Sequence, residues 1–316
     1  MIILNIVSKE RSIMIRWGLC CIFREAPIKF RRTTAKYSAK LSTDARMRHL
    51  SDICLHNANS LLKALDFCRR KGIKAFRINS QILPLKTHPQ LAYAIEALPQ
   101  STEIVKAFKN CRTYCRQHNL RTSFHPDQFI LLSSPNPEVT RRSIADLRYQ
   151  AEVAEWVGAD VINIHAGGAY GNKDEALERL VRRIRSLPLN VRRRLTLEND
   201  DRLYAPRDLL PICEKLGIPF VYDLHHHRCL PDGRNVEKTT HQALKTWNRE
   251  PLFHISSPSR TWQDGNPRNH HDYIDPEDFP ESWLNLDITV EVEAKAKELA
   301  VLKLMREIEK KHDYRS

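Results

Sequence analysis

The sequence contains no apolar run long enough to cross a membrane, no Cys-x-x-Cys pair, no internal repeat and no low-complexity segment. A membrane helix needs about 18 consecutive apolar residues. The apolar run at residues 1–7 is too short for a secretory signal and is followed by charged residues. The eight cysteines are scattered through apolar periodic segments, a pattern typical of buried free thiols. We therefore expect a cytoplasmic protein that does not bind membranes.

The composition is that of a globular protein with a full hydrophobic core. Of 316 residues, 41% are hydrophobic and 28% are charged. No interdomain linker is evident, and α/β barrels commonly occupy about 250 residues as one unit. Met14 opens a better strand pattern than Met1 does, so translation starting at either methionine is consistent with the sequence. We expect an extension over residues 1–13 and a single domain over residues 14–316.

Positive charge exceeds negative charge. The chain has 51 Lys and Arg against 38 Asp and Glu, a formal net charge of +13. This excess favours a polyanionic partner such as nucleic acid, although many basic proteins are merely soluble.

Short β-rich runs alternate with segments of helical periodicity. The eight predicted strands are Ile15–Cys21, Ala75–Asn79, Arg121–His125, Val161–His165, Arg194–Glu198, Phe220–Asp223, Leu252–Ser256 and Trp283–Val292. The predicted helices between them include Asn59–Lys71, Glu138–Val157, Lys173–Ser186 and Pro206–Leu216. The basic stretch 24–52 is interpreted as a long loop or a partly helical excursion, and 257–280 as a long loop. Together these patterns predict a single (β/α)8 TIM barrel.

Residue types that bind metals recur at the carboxyl ends of the predicted strands. They are His125, His165, Glu198, Asp223 with His226, His254, and Glu293 after the last strand. Active sites of TIM barrels lie at this rim. On the fourth strand, alternation places Asn163 and His165 on one face and the flanking isoleucines on the other, so His165 can point toward the barrel axis.

Mixed imidazole and carboxylate ligands suit Zn, Mn or Fe better than Ca or Mg. A cluster of this size can hold two or three ions, which can clamp a phosphate and activate water. Phosphodiester hydrolysis fits both these ligands and the +13 charge. Two alternatives stay open: a metal-dependent sugar isomerase or epimerase on the same architecture, and a DNA-binding barrel that has lost catalysis.

Several longer motifs resemble the UV damage endonuclease family, which is related to apurinic endonuclease IV. They span residues 14–306: Met-Ile-Arg-Trp-Gly at 14–18, Phe-Arg-Ile-Asn-Ser at 76–80, Phe-His-Pro-Asp-Gln-Phe at 124–129, Ile-His-Ala-Gly-Gly-Ala-Tyr-Gly-Asn-Lys at 164–173, Leu-Glu-Asn-Asp-Asp at 197–201, Tyr-Asp-Leu-His-His-His-Arg-Cys at 222–229, Phe-His-Ile-Ser-Ser-Pro at 253–258, His-His-Asp-Tyr-Ile at 270–274 and Glu-Ala-Lys-Ala-Lys-Glu at 293–298. Any one of these strings is weak, but together they are specific.

The resemblance implies a set of nine metal ligands: His88, His125, His165, Glu198, Asp223, His226, His254, His270 and Glu293. Nine ligands imply three Mn2+ ions, with Zn2+ or Mg2+ as alternatives. Glu198, Asp223, His226 and Glu293 are assigned to catalysis. The role of His88 depends on the resemblance alone, because its Lys-Thr-His-Pro context reads as a surface loop. The family pattern His-x-Asp selects His270 over the adjacent His271, while His225 and His227 are expected to support ligands or face DNA.

The resemblance also implies the substrate: duplex DNA with UV lesions, namely cyclobutane dimers and 6-4 products, cut on the 5′ side without ATP and without an obligate protein partner. Action at abasic sites is an alternative. Gln128 and Phe129 occupy the positions that insert into the helix at the lesion. Leu19 and Phe23 are apolar where many members have Tyr and Asn, which puts lesion contacts there in doubt. Leu252 stands where many members have a modified lysine that reaches the metals, so water, hydroxide or phosphate must bridge them instead.

Overall fold

The computed structural model describes residues 15–126 and 129–313. The predicted extension at 1–13, the alternative start at Met14 and the predicted lesion contact Gln128 lie outside these residues. The side chain of Phe129 and all nine predicted metal ligands lie within them.

Eight parallel strands form a closed barrel in which each strand pairs with the next and the last pairs with the first. They are β1 (Arg16–Cys20), β2 (Ala75–Ile78), β3 (Arg121–Phe124), β4 (Val161–His165), β5 (Leu195–Glu198), β6 (Phe220–Asp223), β7 (Leu252–Ile255) and β8 (Thr289–Val292). This arrangement confirms the predicted TIM barrel.

Helices follow the strands and cover the outside of the barrel. They are α1 (Ala35–Ser38), α2 (Thr43–Arg70), α3 (Ser101–His118), α4 (Pro137–Val157), α5 (Lys173–Ser186), α6 (Leu189–Arg192), α7 (Pro206–Leu216), α8 (Leu224–Cys229), α9 (Val236–Lys245) and α10 (Glu298–Asp313). Short 3-10 helices cover Ile95–Ala97, Pro276–Asp278 and Glu281–Asn285. No helix of the described residues is long and apolar enough to span a membrane.

Local sequence signals fix several helix ends. Asn136 precedes α4, and its side chain accepts a hydrogen bond from Glu138 N at 2.9 Å, while Pro137 fills the first turn. The helix ends at Gly158, whose φ of 79° is the left-handed conformation that glycine adopts without strain. Because of these signals, the predicted bounds of this helix differ from those of α4 by only one residue.

Two regions differ from the sequence prediction. The predicted eighth strand began at Trp283, but Glu281–Asn285 forms a 3-10 helix and only Thr289–Val292 is strand. Trp283 is fully buried and its indole N–H donates to Thr240 Oγ1 at 2.9 Å, so its apolar character reflects packing on α9. The predicted helix Asn59–Lys71 begins too late, because α2 starts after the capping residue Ser42 within the stretch interpreted as a loop or partly helical.

The two ends of the barrel differ in loop length. At the amino ends of the strands the connections are short, such as 71–74 and 158–160, whereas long segments such as 79–100 and 256–288 follow the carboxyl ends. The main apolar core lies between the strands and the helices. A small separate cluster of Val161, Val221 and Leu252 fills the barrel interior beside Trp247. The carboxyl rim is therefore the end with enough loop to build a site.

Candidate metal centre

Six inward-facing side chains converge at the carboxyl ends of the strands. His165 ends β4, Glu198 ends β5 and Asp223 ends β6, while His254 lies in β7, and His125 and Glu293 directly follow β3 and β8. The parallel register pairs His165 with Glu198 and Asp223 with His254, so neighbouring strands bring these groups together. The six side chains therefore lie together at this rim because alternation points them to the same side, and their role as metal ligands stays a prediction.

Glu198 lies at the centre of the cluster and is fully buried. Its Oε2 is 2.9 Å from His125 Nε2 and 3.9 Å from His165 Nε2. Its Oε1 is 3.1 Å from His254 Nδ1 and 3.4 Å from His226 Nδ1. Asn163, two residues before His165, donates a short hydrogen bond to Glu198 Oε2. One carboxylate is thus shared by four imidazoles, an arrangement suited to bridging cations.

Asp223 orients the short helix that carries His226. Its Oδ1 accepts the His226 backbone N–H at 2.7 Å, which is an N-cap of α8. Asn199 holds the Asp223 backbone from both sides, accepting its N–H at 3.0 Å and donating to its carbonyl at 2.8 Å. Asp223 Oδ2 is buried without a hydrogen bond to the described residues and lies 3.5 Å from His226 Nδ1. The aspartate therefore presents to the cluster one oxygen atom that has no hydrogen-bond partner among the described residues.

Glu293 joins the cluster to a buried arginine. Its Oε1 lies 2.5 Å from Arg77 Nη1 and 3.4 Å from His254 Nδ1, and its Oε2 lies 4.0 Å from His270 Nδ1. Ser256 Oγ lies 3.3 Å from the same His270 nitrogen, and a bridge between Pro258 and His270 fixes the local backbone. His271 instead turns to Tyr273, whose N–H donates to His271 Nδ1 at 3.0 Å. The structure thus places His270, and not its neighbour, beside the cluster.

Burial and opposite charge act against each other in this cluster. Burial raises the pKa of Glu198, but His254, His165 and His125 together hold it well below the usual range. Burial lowers the pKa of His254, but Glu198, Glu291 and Glu293 raise it well above the usual value. For His165 burial dominates and lowers the pKa to about 4. These surroundings therefore favour the ionised form of the Glu198 carboxylate and the neutral form of the His165 ring.

The donor set fits divalent transition metals. Three groups of residues place donor atoms within 4.8 Å of one another: His125 with Glu198 and His254, Glu198 with Asp223 and His226, and Asp223 with His254 and Glu293. Because Glu198, Asp223 and His254 each occur twice, the groups form one continuous site. His165 Nδ1 and Asp223 Oδ2 are buried and have no hydrogen bond to the described residues. This is expected of atoms that serve as metal ligands.

His88 is not a member of these three groups. Gln90 N donates to its Nδ1 at 3.2 Å, and its ring lines a cavity of about 370 Å³ together with Asp146 and Arg142. The loop 79–100 that carries it folds over α4, as shown by the hydrogen bond from Leu83 N to Tyr149 Oη at 3.1 Å. Its assignment as a ligand stays a prediction.

The other two histidines of the His-His-His run have different surroundings. His227 is buried between Tyr222 Oη at 2.7 Å and Asp232 Oδ1 at 3.0 Å, so it supports the fold and does not face DNA. His225 packs between the rings of Trp262 and His270, at 5.1 and 5.0 Å, and burial lowers its pKa to about 3. His225 therefore contacts a predicted ligand, consistent with a supporting role.

Phe129 and Leu252 occupy different environments. Phe129 is 75% exposed, which is unusual for a large apolar side chain, and it borders the same cavity as His88. Leu252 shares the inward face with His254, as alternation predicted, but it packs against Val161 and Val221 below the polar cluster. The position of the family's modified lysine is thus filled by an apolar side chain.

Sequence reasoning missed a second polar layer inside the barrel. Arg77, Ser123 and Glu291 lie one pleat below the predicted ligands and are buried. The signal was available for Glu291, because Thr289, Glu291 and Glu293 alternate along one face of β8. No comparable signal marks Arg77, since an arginine inside a barrel is uncommon.

Comparisons with known proteins show the family to which the chain belongs. A UV DNA damage endonuclease of Bacillus cereus (strain Q1) is 36% identical over 281 residues, covering 85% of this chain and 86% of the relative. The crystal structure of SacUVDE superposes with a TM-score of 0.84 at 26% identity, covering 95% of this chain and 99% of that one. Endonuclease IV from Thermus thermophilus shares the fold, with a TM-score of 0.56 at 16% identity over 93% of this chain and 97% of that one. The family model for UV-endonuclease UvdE matches residues 15–315, and the chain belongs to that family.

Proposed function

We propose that this protein is a DNA-repair endonuclease that incises duplex DNA on the 5′ side of UV photoproducts, both cyclobutane dimers and 6-4 products, by metal-assisted phosphodiester hydrolysis without ATP. The observation that carries the proposal is the convergence of four imidazoles on the buried Glu198 carboxylate. Membership of the UvdE family adds the substrate class. In this proposal residues 14–316 are the catalytic domain and residues 1–13 an extension.

The proposed cofactor is Mn2+, as three ions held by the nine residues from His88 to Glu293 named above, with Zn2+ or Mg2+ as alternatives. Bound divalent ions supply Lewis acidity for the phosphate, a lowered pKa for water and stabilisation of the leaving oxygen. Glu198, Asp223, His226 and Glu293 are the proposed catalytic residues. Asn163 fixes Glu198, and Asn199 fixes the Asp223 backbone, so both carboxylates are oriented before substrate arrives.

Lesion recognition is assigned to the loop after β3. Phe129 is exposed, and it follows shortly after the cluster residue His125 in the sequence. Gln128 directly precedes Phe129. A photoproduct weakens stacking and pairing, so opening the duplex there costs less than the few kcal/mol needed at normal steps. An inserted aromatic ring and amide fill the resulting gap. The excess of positive charge, +13 for the chain, supplies affinity for the DNA backbone but little discrimination.

The sugar isomerase or epimerase alternative uses the same barrel and also places metals at its rim. Binding of a sugar does not need a strongly basic protein, and the histidine-rich set around Glu198 favours phosphate chemistry over sugar isomerisation. All eight cysteines are free thiols, most of them buried, which supports the proposed cytoplasmic location.

The decisive experiment compares UV-irradiated with untreated plasmid. In the presence of Mn2+ the protein is expected to nick only the irradiated plasmid, and chelation is expected to abolish nicking. Metal analysis of the purified protein is expected to find at least about two transition-metal ions per chain, in line with the overlapping donor groups. Equal nicking of both plasmids, or a metal content near zero after growth in ample Mn and Zn, would refute the proposal.

A further inference from the structure

We propose that Glu291 is a positioning residue that directs His254 Nδ1 toward the metal centre and leaves the charge of Glu293 available to cations. This inference rests on the metal-dependent function proposed above. It concerns a buried carboxylate one pleat below the predicted ligands, to which neither the motifs nor the proposed mechanism gives a role.

Three strands supply the polar partners of Glu291. The residue is 1% exposed and faces the barrel axis from β8, where it pairs in register with His254 of β7. Its Oε1 accepts a short hydrogen bond from Ser123 Oγ of β3. Its Oε2 lies 3.1 Å from His254 Nε2 and 3.4 Å from Arg77 Nη1. Glu291 thus contacts one predicted ligand directly and a second, Glu293, through Arg77.

The contact with His254 decides which nitrogen faces the cluster. His254 Nδ1 lies 3.1 Å from Glu198 Oε1 and 3.4 Å from Glu293 Oε1, while Nε2 faces Glu291 alone among the described acidic groups. Nε2 and Glu291 Oε2 are both buried and lie 3.1 Å apart, and neither has an aligned hydrogen bond to any described group. Since buried polar atoms are almost always paired, we infer that this contact pairs the two atoms. Nδ1 shares a hydrogen bond with Glu198 Oε1. When a cation replaces that proton, a proton kept on Nε2 leaves the Nδ1 lone pair free to bind the metal.

The contact with Arg77 concerns charge. Arg77 is buried, and its Nη1 lies 2.5 Å from Glu293 Oε1 and 3.4 Å from Glu291 Oε2. One positive charge is therefore shared between two carboxylates. If Glu291 were neutral, Glu293 alone of the two carboxylates would balance the positive charge of Arg77. The oxygen atoms of Glu293 would then be less available to a cation.

The same barrel contains a matched control. Glu250 lies beyond the amino end of β7, where its Oε1 accepts from Arg16 Nε at 2.8 Å and from Thr289 Oγ1 at 2.5 Å. Thr289 is on the same face of β8 as Glu291, two residues earlier. Glu250 is thus another carboxylate paired with an arginine, but at the opposite end of the barrel from the candidate metal centre.

The test is a titration of Mn2+ into chelator-stripped full-length protein, with calorimetry as the measurement of binding. Glu291→Gln is expected to weaken Mn2+ binding by about 10- to 100-fold, the range typical for partners of metal ligands. Glu250→Gln is expected to bind within about twofold of the parent. If the Glu291→Gln variant folds and binds Mn2+ as tightly as the parent, the inference about Glu291 is overturned and the proposed function is unaffected. A parent that binds no Mn2+ would refute the proposed metal centre, and the inference with it.

A second measurement needs no substitution at Glu291 and so does not depend on how that variant folds. Nitrogen-15 NMR of the Zn2+-loaded parent reports which ring nitrogen of His254 is protonated, and Zn2+ avoids the broadening that Mn2+ causes. The signal is assigned by its loss in His254→Gln. The expected result is a proton on Nε2; a proton on Nδ1 overturns the inference.

Discussion

Replacing Glu198 with glutamine keeps the size of the side chain at the centre of the cluster and removes its negative charge. Four imidazole nitrogens lie within 3.9 Å of the carboxylate, so this one change affects every strand end from β3 to β7. A neutral amide cannot bridge cations as a carboxylate does. We expect incision of UV-damaged DNA to fall by at least about 100-fold, equivalent to about 2.7 kcal/mol of transition-state stabilisation.

Binding of DNA is expected to survive this substitution. Affinity for duplex DNA comes mainly from Lys and Arg contacts to phosphate, and Glu198 is fully buried and contributes none. The fold should also persist, because the glutamine oxygen can still accept the hydrogen bond from Asn163. The variant thereby separates chemistry from recognition.

The assay pairs two measurements on Glu198→Gln and the parent. Nicking of UV-irradiated plasmid in Mn2+ measures chemistry, and gel shift of an irradiated duplex measures recognition, with circular dichroism as the control for folding. If nicking and binding fall by the same factor, Glu198 mainly holds the fold or the DNA. If nicking is unchanged, the central role assigned to Glu198 is wrong.

Three further predictions address other parts of the molecule. Changing Gln128 and Phe129 together to alanine should reduce selectivity for UV-damaged over intact duplex in competition binding, with metal content unchanged; equal discrimination would make them packing groups. Glu298→Gln should lower the free energy of unfolding by about 2 kcal/mol, because its carboxylate accepts the backbone N–H groups of residues 24–26 at 2.7–2.9 Å; an unchanged urea midpoint contradicts this. Burial raises the pKa of Glu250, but its arginine and threonine partners hold that pKa below 4.5. The contribution of Glu250 to stability is therefore complete above about pH 4.5 and is lost as the pH falls through the folded pKa. Glu250→Gln should be less stable than the parent at pH 7, and urea unfolding should show that this difference shrinks in acid.

The ends of the strands could be predicted from the sequence because two simple rules apply there. Parallel strands end at one rim, and alternation places every second side chain inside, so His165, Glu198 and Asp223 had to meet. Glu291 obeys the same rule, but it lies one pleat below the strand ends at which TIM-barrel sites are expected. Trp283 shows the limit of the rule, since an apolar residue packed in a 3-10 helix resembles one in a strand.

Residues on long loops could not be placed by these rules. The position of His88 depends on how the loop 79–100 folds over α4, and nothing in its local sequence specifies that. The choice between His270 and His271 depends on the bridge to Pro258, a contact between residues twelve apart in a loop. Arg77 is explained only by two carboxylates at β8, more than two hundred residues later. Such long-range contacts leave no periodic pattern in the chain.

The pairing of β1 with β8 has a consequence for the nascent chain. Glu291, Glu293 and Glu298 are among the last residues of the barrel to be synthesised, and the loop after β1 is held by Glu298. A growing chain therefore has neither a closed barrel nor a complete carboxylate set until β8 and Glu293 have been made. We therefore expect shorter intermediates to lack nuclease activity, and a chain stopped after residue 288 to show no nicking of irradiated plasmid.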